Sequence, residues 1–286
     1  MADHVVLLGT KGGPAIRQGS AMPTSNLLVL DDQQIVVDCG LGVTRALTNQ
    51  GVALKDLSVI FITHLHSDHY LELGPLIHTA WTAGLKTPVT VWGPEGLSRY
   101  WDNFLLSMQD DIDLRIADEG RPDLRHLVTI KTLDAGPVTT LDSIAVAALR
   151  VDHPPLIDCF ALSFRTATRH VVFSADTACF PPLADFAKGA DLLVHEAMLE
   201  DALSALMARI GNADDRLMQH LRQSHTRAED AARIAAASGV KRLALSHLVP
   251  SDDPAYGAEH WRAAVTPHWD GELFVGEDGL RIPLDS

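Results

Sequence analysis

Short apolar runs recur along this chain and predict buried strands. Val5-Val6-Leu7-Leu8 predicts a first strand over 5–9, followed by the glycine-rich stretch Gly9-Thr10-Lys11-Gly12-Gly13-Pro14. That stretch lacks the G-x-G-x-x-G spacing of a dinucleotide loop and reads as a tight turn. Asn26–Leu30 and Gln34–Asp38, flanking Asp31-Asp32, predict a hairpin, and 58–62 and 88–92 are further strands. Helical patterning covers 43–50, stopped by Gly51, then 71–83, and then a stretch from Gly93-Pro94-Glu95-Gly96 to about 108.

The second half repeats one theme without a sequence repeat. Strand 143–151 runs into Asp152-His153, 171–174 into Asp176, 192–194 into His195-Glu196, and 242–245 into Ser246-His247. A helical region spans about 198–221. Thr226-x-x-Glu229 reads as a capping box for a helix ending at Gly239. The acidic segment Gln109–Arg125, with Gly120 and Pro122 and weak periodicity, is either a lid or a surface excursion. No linker or low-complexity tract divides the chain, so one domain over 1–286 is expected.

Composition narrows the class. With 47% hydrophobic and 21% charged residues this is an ordinary globular chain. No apolar run approaches the roughly 18 residues that span a membrane, and no signal peptide is expected at Met1-Ala2-Asp3-His4. Cys39, Cys159 and Cys179 are dispersed and odd in number, which suits small core residues in a reducing cytoplasm. The 23 basic and 37 acidic side chains give −14, which repels polyanions unless basic groups or metal ions gather locally.

The chemistry concentrates in Thr63-His64-Leu65-His66-Ser67-Asp68-His69, directly after the apolar run Val59–Ile62. Imidazoles and a carboxylate leaving water together need partners, and a metal ion supplies them. His64 and His66, two apart in extended chain, point the same way toward one ion; Asp68 and His69 follow as the chain turns and reach a second. His153, Asp176 and His247 end other strands, and strand ends along one sheet edge converge. Nitrogen and carboxylate donors suit zinc, and also iron or manganese. His78, His126, His170 and His260 are read as core or solvated residues.

The string His64-x-His66-x-Asp68-His69, followed by His153, Asp176 and His247, resembles the metallo-β-lactamase superfamily over nearly the whole chain. Val194-His195-Glu196-Ala197, Ser224-His225-Thr226 and Ser246-His247-Leu248-Val249-Pro250 resemble its ribonuclease Z and arylsulfatase-like branch. The resemblance implies a four-layer αββα sandwich, two mixed β-sheets with helices on both outer faces, and a dinuclear zinc site on its upper edge. By position His64, His66 and His153 hold the first ion, Asp68, His69 and His247 the second, and Asp176 bridges. It also suggests a homodimer. Oxygen-reducing diiron relatives usually carry Glu at the position of His66, and mononuclear persulfide dioxygenases lack the second site, so the filled ligand set favours hydrolysis.

Two such ions lower the pKa of a bridging water toward neutrality, and the resulting hydroxide is expected to attack an ester with Asp68 orienting it. His225 is the expected proton donor to the leaving group, with Glu196 fixing its tautomer. Against this stand plainer readings: His225 capping the next helix, Glu196 solvated, and His195 serving either as support or as packing. The leading function is hydrolysis of a small ester, whether aryl sulfate, phosphodiester or lactone. The alternative is a tRNA 3′-processing endonuclease, and a third reading is a non-catalytic metal-binding or sensing protein. The processing enzymes of that family carry a basic protruding arm. The stretch from Asp176 to His195 holds only Lys188 as a basic group, so neither nucleic acid nor membrane is expected as a partner. Pocket walls are expected from 10–24, 70–82, 109–125 and 198–224, with Trp81, Trp92 and Trp101 mainly in the core.

Overall fold

The structure, a computed structural model, describes residues 2–211 and 215–284. Strands β1 (His4–Gly9), β2 (Ser25–Leu30), β3 (Gln33–Cys39), β4 (Val59–Phe61), β5 (Val89–Gly93) and β6 (Val128–Thr132) build one sheet. Strands β7 (Gly136–Leu141), β8 (Ile144–Arg150), β9 (Phe160–Arg165), β10 (His170–Phe173), β11 (Leu192–Met198), β12 (Arg242–Val249) and β13 (Glu272–Val275) build the other. β14 (Leu280–Pro283) returns to the first sheet beside β1, so each sheet has seven strands. In both sheets antiparallel ladders at one side give way to parallel ladders at the other.

The unbroken apolar runs now have their cause. Val5, Leu7, Leu28, Leu30, Ile35 and Val37 pack between the sheets, while their neighbours Val6, Leu8, Leu27, Val29 and Val36 pack under the outer helices. With both faces covered, alternation disappears from the sequence. Phe61 stacks on Trp92 at 4.9 Å and meets Phe164 of the opposite sheet edge-on at 5.3 Å.

The outer layer on the first sheet contains α1 (Val43–Asn49), α3 (Leu73–Thr82), α4 (Leu97–Ser107) and α5 (Gln109–Glu119), while the single turn α2 (Ser67–Tyr70) follows β4. On the second sheet lie α6 (Pro182–Phe186), α9 (Ala228–Ser238) and α10 (Ala258–Val265). Two more helices, α7 (Leu203–Ile210) and α8 (Asp215–Ser224), share a small separate core of Met198, Leu203, Leu206, Leu221 and Val249. The four-layer αββα expectation therefore holds.

Three local readings are corrected. Gln109–Arg125 is the helix α5 and a following turn, held to the helix layer by buried Ile112 and by Trp81 Nε1 donating to the Pro122 carbonyl at 2.8 Å. The capping box does not form: Arg227 occupies the N-cap of α9 without a side-chain bond, and the Thr226 hydroxyl donates to the Thr177 carbonyl at 2.7 Å. The region 198–221 is the end of β11, a tight turn over Glu200–Ala202, and parts of two helices rather than one. The short, half-exposed strands β6 and β7 carry too few apolar residues to register as a pattern.

Two β-bulges aim side chains at the parallel strand ends. Ser25 pairs with Cys39 but Asn26 with Val37, leaving Asp38 as the extra residue at φ 66°. Glu196 pairs with Ser246 but Ala197 with Leu248, leaving His247 as the extra residue at φ 47°. A left-handed backbone at a non-glycine residue is strained and concentrates at functional positions, and Ala175, preceding Asp176, shares it at φ 57°.

Candidate metal centre

All seven proposed ligands come together. His64, His66, His153 and Asp176 present donor atoms within 4.8 Å of one another, and so do Asp68, His69 and His247. Asp176 stands between the groups: Oδ2 lies 3.6 Å from His64 Nε2 and 3.0 Å from His247 Nε2, while Oδ1 lies 3.4 Å from His69 Nε2.

The donor set fits divalent cations. His66 Nδ1 faces His64 Nε2 at 3.2 Å and His153 Nε2 at 3.0 Å, a convergence of ring nitrogens that a shared cation satisfies better than a proton. His69 Nε2 and Asp176 Oδ1 are buried with no hydrogen-bond partner. Burial lowers the pKa of His64, of His153 and of His66, the last to about 4, which keeps these rings in the neutral form that a cation needs. In the other group burial opposes charge on the rings, but Asp176 and its neighbouring carboxylates overcome it. His69 is raised well above the usual range and His247 to about 10. Asp68 is pushed well below the usual carboxylate range, its burial overcome by His69 and His247. Positive charge is what this group demands.

The outer nitrogens are fixed as well. His69 Nδ1 donates to Asp38 Oδ2 at 2.9 Å, and His153 Nδ1 to the Ser224 carbonyl at 2.8 Å. His64 Nδ1 meets the Thr63 hydroxyl at 3.1 Å, and that hydroxyl lies 3.0 Å from both Asp38 oxygens. Asp38 thus orients rings on both groups. It was missed in the sequence, although it ends a strand just as the recognised ligands follow theirs.

Glu196 is buried, not solvated. Its Oε2 accepts from His225 Nδ1 at 2.9 Å, and its Oε1 accepts from the Thr177 amide at 2.6 Å. His225 is raised in pKa because Glu196 outweighs its burial, and its ring lies near enough to Asp176 and His247 to share a cation with them. His225 therefore caps no helix. His195 is fully buried, donates from Nδ1 to the Glu196 carbonyl at 2.7 Å and does not border the cavity, which is the packing reading.

A cavity of about 300 Å³ opens above the ligands. Lys11, Arg17 and the turn at Gly12-Gly13 wall one side; Leu206, Leu217 and Leu221 of α7 and α8 wall the other. The glycine turn is more than a turn: a Cβ at Gly12 would run into Val249 and the His247 ring, and the Gly13 amide donates to Asp68 Oδ2 at 2.8 Å. His220, not singled out in the sequence but within the 198–224 segment expected to wall the pocket, lines the cavity from α8 with its ring 6.2 Å from that of His66. No residue of 70–82 or 109–125 borders the cavity, so the lid reading fails. Trp81, Trp92 and Trp101 are all core residues.

A family model described as anti-Pycsar protein Apyc1 matches residues 4–233. Ribonuclease Z of Mycobacterium bovis (strain BCG / Pasteur 1173P2) is 30% identical over 284 residues, covering 98% of each chain. Ribonuclease Z of Mycolicibacterium gilvum is 31% identical over 285 residues, covering 98% of this chain and 96% of the relative. Among solved structures, the metallo-β-lactamase fold protein YhfI from Bacillus subtilis superposes with a TM-score of 0.71 at 21% identity, covering 98% of this chain and 99% of that one. The short form of human tRNase Z superposes with a TM-score of 0.69 at 21% identity, covering 99% and 100%. At that identity these two speak for the fold. The chain belongs to the ribonuclease Z-like branch of the metallo-β-lactamase superfamily and to the family described as anti-Pycsar protein Apyc1.

Proposed function

We propose that this metal-dependent hydrolase is a phosphodiesterase that holds two divalent ions, zinc first among them, on His64, His66, His153, Asp68, His69 and His247 with Asp176 between. The observation that carries the reading is the His225–Glu196 pair, set 2.9 Å apart at the rim of the two ligand groups. Bound ions supply an acidified water and positive charge at the ester oxygens. Asp68, buried and accepting from Gly13, orients the attacking water and takes part of its hydrogen bonding. His225, with Nδ1 held by Glu196, presents its other nitrogen to the leaving oxygen and gives it a proton.

The relatives change the order of substrates set out above. Two named ribonuclease Z match over nearly the whole chain, so the RNA-cleaving alternative overtakes aryl sulfate and lactone hydrolysis, and the expectation against nucleic acid gives way. A small phosphodiester remains the second reading, favoured by a cavity of about 300 Å³ walled by α7 and α8. The stretch between Asp176 and His195 builds α6, its turns and the start of β11, with no protruding arm. The matching family description names an anti-Pycsar protein and not a ribonuclease.

The test sets a pre-tRNA with a 3′ trailer beside bis(p-nitrophenyl) phosphate, linear and cyclic nucleotide diesters, p-nitrophenyl sulfate and a lactone. Cleavage of the trailer supports the ribonuclease reading, and turnover of diesters alone supports the second. Turnover confined to sulfate or lactone ends both. One domain, homodimerisation and cytoplasmic residence belong to the same proposal, and light scattering of the purified protein checks the dimer. Among the described residues no helix is long and apolar enough to cross a membrane.

A further inference from the structure

Among the described residues no carboxylate forms an ion pair with the buried Lys11, although Asp252 and Asp68 stand near it. Only 4% of the lysine is exposed, and it lines the cavity above the ligand groups. Its backbone is pinned on two sides: the amide donates to the Met22 carbonyl at 2.9 Å, the carbonyl accepts from the Thr24 hydroxyl at 3.2 Å, and the residue bridges to both Pro23 and Leu248. The side chain therefore leaves from a rigid base. Its ammonium has one polar contact among the described residues, the Gly12 carbonyl at 3.5 Å, at the far limit of a hydrogen bond.

The neighbouring carboxylates are already engaged. Asp252 accepts from Arg17 at 3.1 Å through one oxygen and from Arg209 at 3.0 Å through the other. Asp68 Oδ2 accepts from the Gly13 amide at 2.8 Å and faces the imidazoles of His69 and His247. A desolvated ammonium left this way is costly unless an anion reaches it, and the cavity is the open approach. Leucine walls opposite keep the local dielectric low and strengthen any charge pairing inside. In a chain of net charge −14, Arg17 lines the same cavity beside Lys11, and it and Arg209 are paired with Asp252.

We propose that Lys11 is the charge-selecting residue of the cavity, receiving a non-bridging oxygen of an anionic ester on its ammonium and so favouring phosphodiesters over neutral esters. The proposal rests on the hydrolase reading above and is indifferent to whether the phosphodiester is RNA or small.

The experiment compares wild type with Lys11→Met and Lys11→Arg, all loaded with zinc and checked for equal metal content. Lys11→Met should lower kcat/KM for anionic bis(p-nitrophenyl) phosphate by about 30- to 100-fold, the scale of one lost charge-assisted bond, and leave neutral p-nitrophenyl acetate within about two-fold. Lys11→Arg should recover most of the loss. If methionine prevents folding, Lys11→Gln takes its place. Independently, inorganic phosphate titrated calorimetrically into the loaded protein should bind at least about 10-fold more weakly to the Met variant. Phosphate affinity indifferent to Lys11, or equal losses on both esters, overturns the subsite and leaves the phosphodiesterase reading standing. Phosphate binding that depends on Lys11 without turnover of any diester does the reverse.

Discussion

Asp38 and His69 lie thirty-one residues apart, yet Asp38 Oδ2 accepts the Nδ1 proton of His69 at 2.9 Å. The contact exists because the bulge in β3 turns Asp38 out of the pleat toward α2. The same carboxylate accepts from the Thr63 amide at 2.8 Å and from its hydroxyl, so one residue sets the direction of the chain entering the histidine cluster and the tautomer of a ring within it.

Asp38→Asn is therefore expected to weaken metal binding by about 10- to 100-fold, as loss of such a supporting carboxylate does elsewhere. Asparagine tolerates the left-handed backbone of this position, so folding should survive. Chelator competition followed by metal analysis reads the effect. An affinity equal to wild type removes Asp38 from the metal centre.

His225→Ala and Glu196→Gln should each lower kcat by about 10²- to 10⁴-fold while both ions stay bound, because the pair moves a proton and does not anchor the centre. Metal stoichiometry on the purified variants decides. His225 shares a possible ligand group with Asp176 and His247, so loss of one ion in His225→Ala would make it a ligand and withdraw its role as proton donor.

Chelation should cost stability as well as activity. Asp38, Asp68 and Asp176 are buried around the same rings, and a cation at 100 times its dissociation constant contributes about 2.7 kcal/mol to the folded state. The melting temperature should fall on dialysis against a chelator and recover with zinc or manganese. A melting curve and turnover both unmoved by chelation would contradict the metal centre.

His170 gives a pH test away from the candidate metal ligands. Burial, then Arg165, lowers its pKa to about 4, and its ring sits 2.9 Å from the Ser163 hydroxyl and 2.9 Å from the Arg165 guanidinium. Above the unfolded value near 6.5 both states are neutral and stability is full. As pH falls toward 4 the unfolded chain takes a proton that the folded one refuses, and up to about 3 kcal/mol is lost. Urea midpoints between pH 7 and 4.5 should drop less in His170→Gln than in wild type. Parallel curves would show that His170 does not contribute to the acid limb.

Much of the site was legible because its parts are strand ends. His64, His66, Asp68, His69, His153, Asp176 and His247 each follow or close an apolar run, and a strand's C-terminal end is a place that sequence can locate. Asp38 met the same criterion and went unremarked, since it stood alone at the end of a hairpin strand. Lys11 and His220 had no such signal. One lay in a glycine turn and the other in a polar helix, and only packing of that turn against His247 and of α8 above His66 brings them to the cavity.

What the sequence by itself determined is the residue chemistry and the alternation of covered strands and helices, because hydrophobic period and ligand spacing are local properties of the chain. The tertiary structure decided the rest. Which way His247 and Asp38 point depends on bulges that arise from pairing with distant strands. The contact that realises the expected Glu196–His225 pairing, and the position of Lys11 above the ligand groups, depend on neighbours far along the chain. Those are long-range contacts, and no local pattern encodes them.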